Sequence, residues 1–245
     1  MDHAVAVEHL AREFVPRHRR RTLFRLLRSQ AEPAGPAAPR VLALDDVSLT
    51  VERGEKIGVI GNNAAGKSTL LKVLAGLLRP TRGSVRVEGE RILVTALGVG
   101  MLEELSVEQN VVLYGAFHGV DRARMRSVLP EILEWSGLAG SQDAELRTLS
   151  SGTRARLAFG VIRYVDADIF LLDEALSAGD FGFRAKCRAF FDGPVNRDRT
   201  FVVATHDMDF VRSFCSRALW LSGGRQMGLG PKEAVVRSYL AAQGG

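Results

Sequence analysis

Nine residues, "GNNAAGKST" from Gly61 to Thr69, satisfy the spacing G-x-x-x-x-G-K-[ST]. An apolar strand pattern, "EKIGVIG", runs into them, and an apolar-periodic segment, "KSTLLKVLAGLL", runs out of them. Strand, loop, helix is the setting in which such a loop cradles phosphate. Backbone N–H groups of Gly61, Asn62, Asn63, Ala64, Ala65, Gly66, Lys67, Ser68 and Thr69 form the candidate cradle; the Lys67 ammonium would balance β/γ-phosphate charge and the Ser68 hydroxyl would ligate Mg2+. A glycine turn that merely starts a helix is the plain alternative. GK[ST] at this spacing behind an apolar strand is rarely accidental.

A second signal lies at "DIFLLDE", where an apolar strand pattern ends in Asp173 and Glu174. Loops at the ends of parallel strands collect ligand groups. Asp173 would hold the metal, directly or through water, and Glu174 would act as general base on an attacking water. Alone, the pair could equally cap a strand; beside a phosphate loop the catalytic reading wins. "ATHD" sets His206 behind another buried-strand pattern and so on the same sheet edge, where a neutral imidazole can hydrogen-bond a γ-phosphate. A histidine there is otherwise an ordinary capping or surface residue. "TLSSGTRARLAFG", Thr148 to Gly160, opens a helical pattern with Ser150, Ser151 and Gly152, whose hydroxyl and N–H donors suit a phosphate as well as an ordinary N-cap.

These residues need a scaffold, and the rest of the chain describes one. "AVAVEHL" alternates like a half-buried strand; "PRHRRRTLFRLLRS" reads as a short basic helix and "AEPAGPAAP" as a linker. "VLALDDVSLTV" and "EKIGVIG" read as strands joined by "ERG", and "SVRVEG" as another after "RPTRG". From Ser106 to Gly137 the pattern is mainly helical, with "SVEQ" spaced as a capping box. The remainder alternates: helix "GTRARLAFGVIRYV", strand "DIFLLDE", helix near "RAKCRAFF", strand "TFVVATHD", strand-like "RALWLS" and a final helix "PKEAVVRSYLAAQ". Such alternation predicts a layered α/β fold with a largely parallel central sheet. At 245 residues, 46% hydrophobic and 25% charged, the composition is that of an ordinary globular chain. Cys187 and Cys215 form no metal or redox spacing, the histidines are scattered, and no apolar run approaches a membrane span. Any membrane role is therefore expected to be peripheral.

In order, the loop at Gly61 to Thr69, "LSSGT", "FLLDE", "SAGD" and "THD" resemble the P-loop, signature, Walker B with catalytic glutamate, D-loop and H-loop of ABC-transporter ATPases. An ordered set of five is far more specific than any one motif. The resemblance implies the ABC ATPase fold in a single domain over residues 1–245: a P-loop core with a mainly parallel sheet, an antiparallel β region and an inserted helical signature subdomain at about 103–165. It implies ATP and Mg2+ as ligands, Asp180 as a D-loop residue at the nucleotide, and catalytic roles for Lys67, Glu174 and His206. It also implies a homodimer packed head to tail, in which Ser150, Ser151 and Gly152 of one copy cover the ATP held by the other. "SSGTRARLAFG", "LLDEALSAGD" with the following "KC", and the "GVG" before "LSVEQNV" resemble the polysaccharide-exporter branch, which moves capsular, O-antigen or teichoic-acid chains. That branch implies a polytopic permease, a lipid-linked polysaccharide as cargo, and a place on the cytoplasmic face of the membrane. Its inserted helix matches the arginine-rich insertion at about 16–39, whose Arg17, Arg19, Arg20, Arg21, Arg25 and Arg28 suit phosphate or a solvated surface equally.

Three positions depart from or stretch that pattern. Ala64 stands where the loop usually has glycine, and it is strained if φ there is positive. Leu102 falls where the Q-loop glutamine is expected, while Gln109 belongs to the next helix. Phe14 is near the place of the aromatic that stacks on adenine, and is equally a core aromatic ending a strand. The net charge of +5 admits anionic partners in general. A non-transport ABC ATPase acting on a ribosome or nucleic acid is the alternative reading; paired cassettes or a long coiled-coil insertion are absent from the sequence, so nucleic acid is not the expected partner. A P-loop kinase would leave the signature unexplained.

Overall fold

A computed structural model describes residues 3–15, 40–95, 97–174 and 181–244. The basic segment within 16–39 and Asp180 lie outside them. The apolar runs become nine strands of one sheet in the order β4-β1-β2-β9-β8-β3-β7-β6-β5. They are β1 (His3–Phe14), β2 (Val41–Glu52), β3 (Lys56–Ile60), β4 (Arg82–Val87), β5 (Arg91–Val94), β6 (Ile169–Asp173), β7 (Thr200–Ala204), β8 (Arg217–Ser222) and β9 (Arg225–Pro231). From β8 through β3, β7 and β6 to β5 every pairing is parallel. β1 pairs antiparallel with β2 and β4, forming the antiparallel wing.

The expected parallel core has a physical reason in its side chains. β6 and β7 are buried at every position, as strands covered on both faces must be. Alternate residues serve opposite layers: Phe170, Leu172, Phe201 and Val203 face one apolar cluster, and Ile169, Leu171, Val202 and Ala204 face the other. The second cluster is completed by α1 (Lys67–Leu74), whose Leu70, Leu71, Val73 and Leu74 are wedged between the parallel strands and the antiparallel wing. The first is roofed by helices, including the ring cluster of Trp135, Phe159, Phe183, Phe190 and Phe191.

The helical run after Ser106 is three helices: α2 (Val107–Phe117), α3 (Arg122–Ser127) and α4 (Leu129–Ser136). Left-handed Gly119 ends the first, the Asp121 side chain caps the second by accepting from Ala123 N and Arg124 N, and Pro130 opens the third. The expected capping box is present, with Ser106 and Gln109 bonded reciprocally. α5 (Ser151–Ile162) packs on α4 and α2; α6 (Phe181–Asp192), α7 (Met208–Phe214) and α8 (Lys232–Gln243) follow. Two strands were not expected from the sequence, β5 and β9. The first is a four-residue edge, and the second contains two glycines and ends in proline.

Candidate functional site

The loop from Gly61 to Gly66 is shaped by backbone that glycine permits. A Cβ at Gly61 would lie 2.2 Å from the Leu221 carbonyl oxygen, and one at Gly66 would lie 2.6 Å from that of Ala43. Between them, Ala65 N donates to Asn62 O at 3.1 Å and closes a tight turn whose third residue, Ala64, has φ 62°. That position of a type II turn asks for glycine, so the alanine is strained, as the sequence suggested. Lys67 is 7% exposed, and its ammonium donates to Gly61 O at 2.8 Å and Asn62 O at 3.1 Å. Gly66 caps α1 without a side chain and the first turn carries no acidic residue. The N–H groups at the start of α1 thus carry the positive end of the helix dipole with no acidic side chain in the helix's own first turn.

Neighbouring strands deliver the acidic pair and the histidine to the same sheet edge. Asp173 ends β6, and Glu174 N donates to Ala204 O of β7 at 3.0 Å. Thr205 N donates to Val59 O of β3, which draws the start of the His206 loop toward the phosphate-type loop. Asp173 is 8% exposed and its Oδ1 is buried without a hydrogen-bond partner among the described residues. A buried carboxylate oxygen of that kind requires a donor or a cation. Glu174 has φ 54°, an uncommon conformation for a side-chain-bearing residue, and its Oε2 lies 2.6 Å from His206 Nδ1. The backbone strain therefore sits at the residue expected to act as base.

The serine-rich helix start lies elsewhere. Ser150 is the N-cap of α5, its Oγ accepting from Thr153 N at 3.2 Å and lying 2.9 Å from Thr153 Oγ1. Ser151 is exposed, and a Cβ on Gly152 would meet nothing closer than Ser150 Oγ at 4.0 Å. Among the described residues, no hydrogen bond or ion pair joins Ser150, Ser151 or Gly152 to the loop at 61–69. What α5 does grip is the loop before α2: Arg154 pairs with Glu103 and donates to the carbonyls of Leu149 and Arg147. Fully buried Asn110 fixes that loop from inside, accepting from Leu102 N at 2.8 Å and donating to the carbonyls of Leu102, Leu105 and Ser106. Leu102 itself is exposed.

The sequence set is thus divided. Residues 61–69, Asp173, Glu174 and His206 follow the ends of the adjacent strands β3, β6 and β7, and Glu174 meets His206; among the described residues no bond joins Ser150 to Gly152 to the loop. Phe14 ends β1, half-buried, with the Arg12 guanidinium 4.8 Å from its ring centroid, and stands as neither a fully buried core ring nor a free surface one. Two residues that motif reasoning missed do reach the loop. Tyr239 Oη donates to Asn62 Oδ1 at 3.0 Å and Gln243 Nε2 donates to the same oxygen at 2.8 Å, both from α8. A groove of about 450 Å³ between sheet and helices carries exposed apolar Leu77, Val99 and Phe117. No helix among the described residues is long and apolar enough to cross a membrane.

Residues 44–177 match the family described as ABC transporter. The chain is 36% identical over 203 residues to the O-antigen export system ATP-binding protein RfbB of Klebsiella pneumoniae, covering 83% of this chain and 82% of that one. It is 34% identical over 197 residues to the teichoic acids export ATP-binding protein TagH of Shouchella clausii, covering 80% of this chain and 54% of the relative. A solved ATP-binding cassette, captured as a dimer in a post-hydrolysis state with ADP and Pi, is similar in fold at a TM-score of 0.71 and 20% identity, over 93% of this chain and 98% of that one.

Proposed function

The chain belongs to the ABC transporter family, and from that premise we propose that it is the ATP-hydrolysing subunit of a polysaccharide exporter, working as a head-to-tail homodimer under a polytopic permease. The relatives named for O-antigen and teichoic-acid export support the cargo class, a lipid-linked polysaccharide. The observation that carries the composite site is the division described above: the phosphate-type loop, acidic pair and histidine share one edge, while the Ser150 helix start, built to donate, stands apart from them. A second copy brings that helix start to the first copy's nucleotide. On this reading residues 1–245 are one domain, with its helical subdomain at about 103–165 and its arginine-rich insertion at about 16–39.

In the proposed mechanism the N–H groups of residues 61–69 and the start of α1 hold the phosphates of ATP, and Lys67 turns from the loop carbonyls to the β/γ-phosphate oxygens. The Ser68 hydroxyl and the buried, otherwise unmatched Asp173 Oδ1 are hard oxygen donors of the kind Mg2+ takes, few enough to leave room for substrate phosphates. When bound, Mg2+ neutralises charge developing on the β- and γ-oxygens. Glu174 takes the proton of the attacking water; a neutral His206 has one N–H, which it gives either to the Glu174 carboxylate, aiming it, or to the γ-phosphate. Ser150, Ser151 and Gly152 of the partner supply N–H and hydroxyl donors to that phosphate. Asp180 would lie at the same junction, and Phe14 would offer a face to adenine. The groove bearing Leu77, Val99 and Phe117 is the surface we assign to the permease; on this reading the subunit works peripherally, on the cytoplasmic face.

Affinity purification from detergent-solubilised membranes tests the assignment. The chain is expected to bring down a polytopic protein, and the ATPase rate of the complex is expected to rise with lipid-linked polysaccharide. Recovery only with ribosomes or nucleic acid would transfer the chain to the non-transport reading.

A further inference from the structure

The turn Asn62–Asn63–Ala64–Ala65 is held at several points. Its backbone closes through Ala65 N and Asn62 O, Lys67 Nζ bridges the carbonyls of Gly61 and Asn62, and Gly224 N donates to Ala65 O. Ala64, with φ 62°, works against the turn at the position where glycine would rest without strain. From outside, Tyr239 Oη and Gln243 Nε2 converge on the single side-chain oxygen of Asn62. Tyr239 is fixed in its own right: it is 9% exposed and its ring stands edge-on to Trp220 at 5.8 Å. α8, in turn, packs on β8, β9 and α7, so the grip is anchored in the sheet.

These contacts bear on the proposed mechanism because of Lys67. In the arrangement described here Lys67 is itself one of the turn's fasteners. If it turns to phosphate oxygens when ATP binds, the turn gives up that fastener while the strain at Ala64 stays. Only holds that do not depend on Lys67 then keep the cradle assembled.

We propose that Tyr239 and Gln243 are positioning residues for ATP: acting through Asn62, the C-terminal helix keeps a strained phosphate-binding turn in its cradle shape when Lys67 leaves it for the nucleotide. This rests on the ATPase reading above, and it adds to it a distant element whose docking sets nucleotide affinity. Neither residue touches the reacting atoms. The contribution belongs to binding, and falls on affinity and KM more than on kcat.

The test uses the full chain and a fluorescent ATP analogue in direct titration, with steady-state hydrolysis and thermal melts alongside. Tyr239→Phe keeps the ring against Trp220 and removes only the hydroxyl; Gln243→Ala removes the other donor. Together they are expected to weaken nucleotide binding and raise KM by about three- to thirtyfold, part of the worth of two lost hydrogen bonds, with kcat within about twofold. Adding Ala64→Gly, which relieves the turn, is expected to restore affinity to within about twofold of the chain that carries Ala64→Gly alone. Helix docking alone would not respond to a glycine in the turn. Unchanged affinity in the Tyr239→Phe, Gln243→Ala chain overturns the proposal, and so does a loss that Ala64→Gly leaves in place. An unmodified chain that binds no ATP would instead defeat the functional reading itself, a separate result.

Discussion

The loop at 61–69 concentrates its phosphate-binding charge in one side chain, Lys67. Lys67→Ala removes the only side-chain cation of that loop. Nucleotide titration should show ATP affinity reduced by at least about tenfold, the loss of a charge-assisted bond to phosphate; wild-type affinity would refute the role. Glu174→Gln keeps the shape of the side chain and loses the base, so ATP should still bind while phosphate release slows by about 100-fold or more. The strain at Ala64 was legible in the sequence, since a glycine position filled by alanine marks itself. Ala64→Gly exchanges a left-handed cost of about 1–2 kcal/mol for about 0.4–1 kcal/mol of extra chain entropy. A net gain of roughly 0.5–1 kcal/mol in urea unfolding is expected. The φ of Glu174 carried no such mark, because acidic residues are common after strands. Tyr239 and Gln243 were invisible for a different reason: each meets Asn62 across more than 170 residues of chain, and no local pattern encodes that meeting.

Among elements, the strongly periodic and fully apolar ones could be read directly, as β3, β6, β7, α1 and α5 show. β9 was missed although a signal existed. Gly223 and Gly224, both with positive φ, stand between β8 and β9 as a two-residue hairpin turn, and a Gly-Gly pair after a strand is what such a turn prefers. The strand behind it has little apolar content, so pattern alone read it as loop. The run after Ser106 reads as mainly helical, and it divides into three helices because Gly119, Asp121 and Pro130 punctuate it. Asn110 shows how a polar residue inside an apolar helix can serve the loop beside it. Its amide group satisfies one N–H and three carbonyls of the segment from Leu102 to Ser106. Asn110→Ala leaves Leu102 N without its acceptor, while the three carbonyls keep backbone donors in Leu105 N, Leu146 N and Asn110 N; it should cost about 1–3 kcal/mol, read as a lower urea midpoint. A cost within about 0.5 kcal/mol would show that water replaces the amide without penalty.

For the whole molecule, alternation of elements gave the layered α/β class, and the order β3-β7-β6 explains why distant motifs share an edge. What one chain leaves unjoined is the Ser150 helix start and the phosphate loop, and in the proposed dimer two chains join them. Mixing two defective variants tests it. Lys67→Ala spoils the loop and leaves the helix start intact; Gly152→Asp spoils the helix start, where an added Cβ has open space and the fold should survive. Each alone should hydrolyse ATP at no more than a few per cent of the unmodified rate, the loss of about 100-fold or so that removal of such donors brings. In a head-to-tail pair the intact loop of the second chain faces the intact helix start of the first, so the mixture should regain hydrolysis well above either variant. A mixture as inactive as its components, with both variants folded, would contradict the composite site.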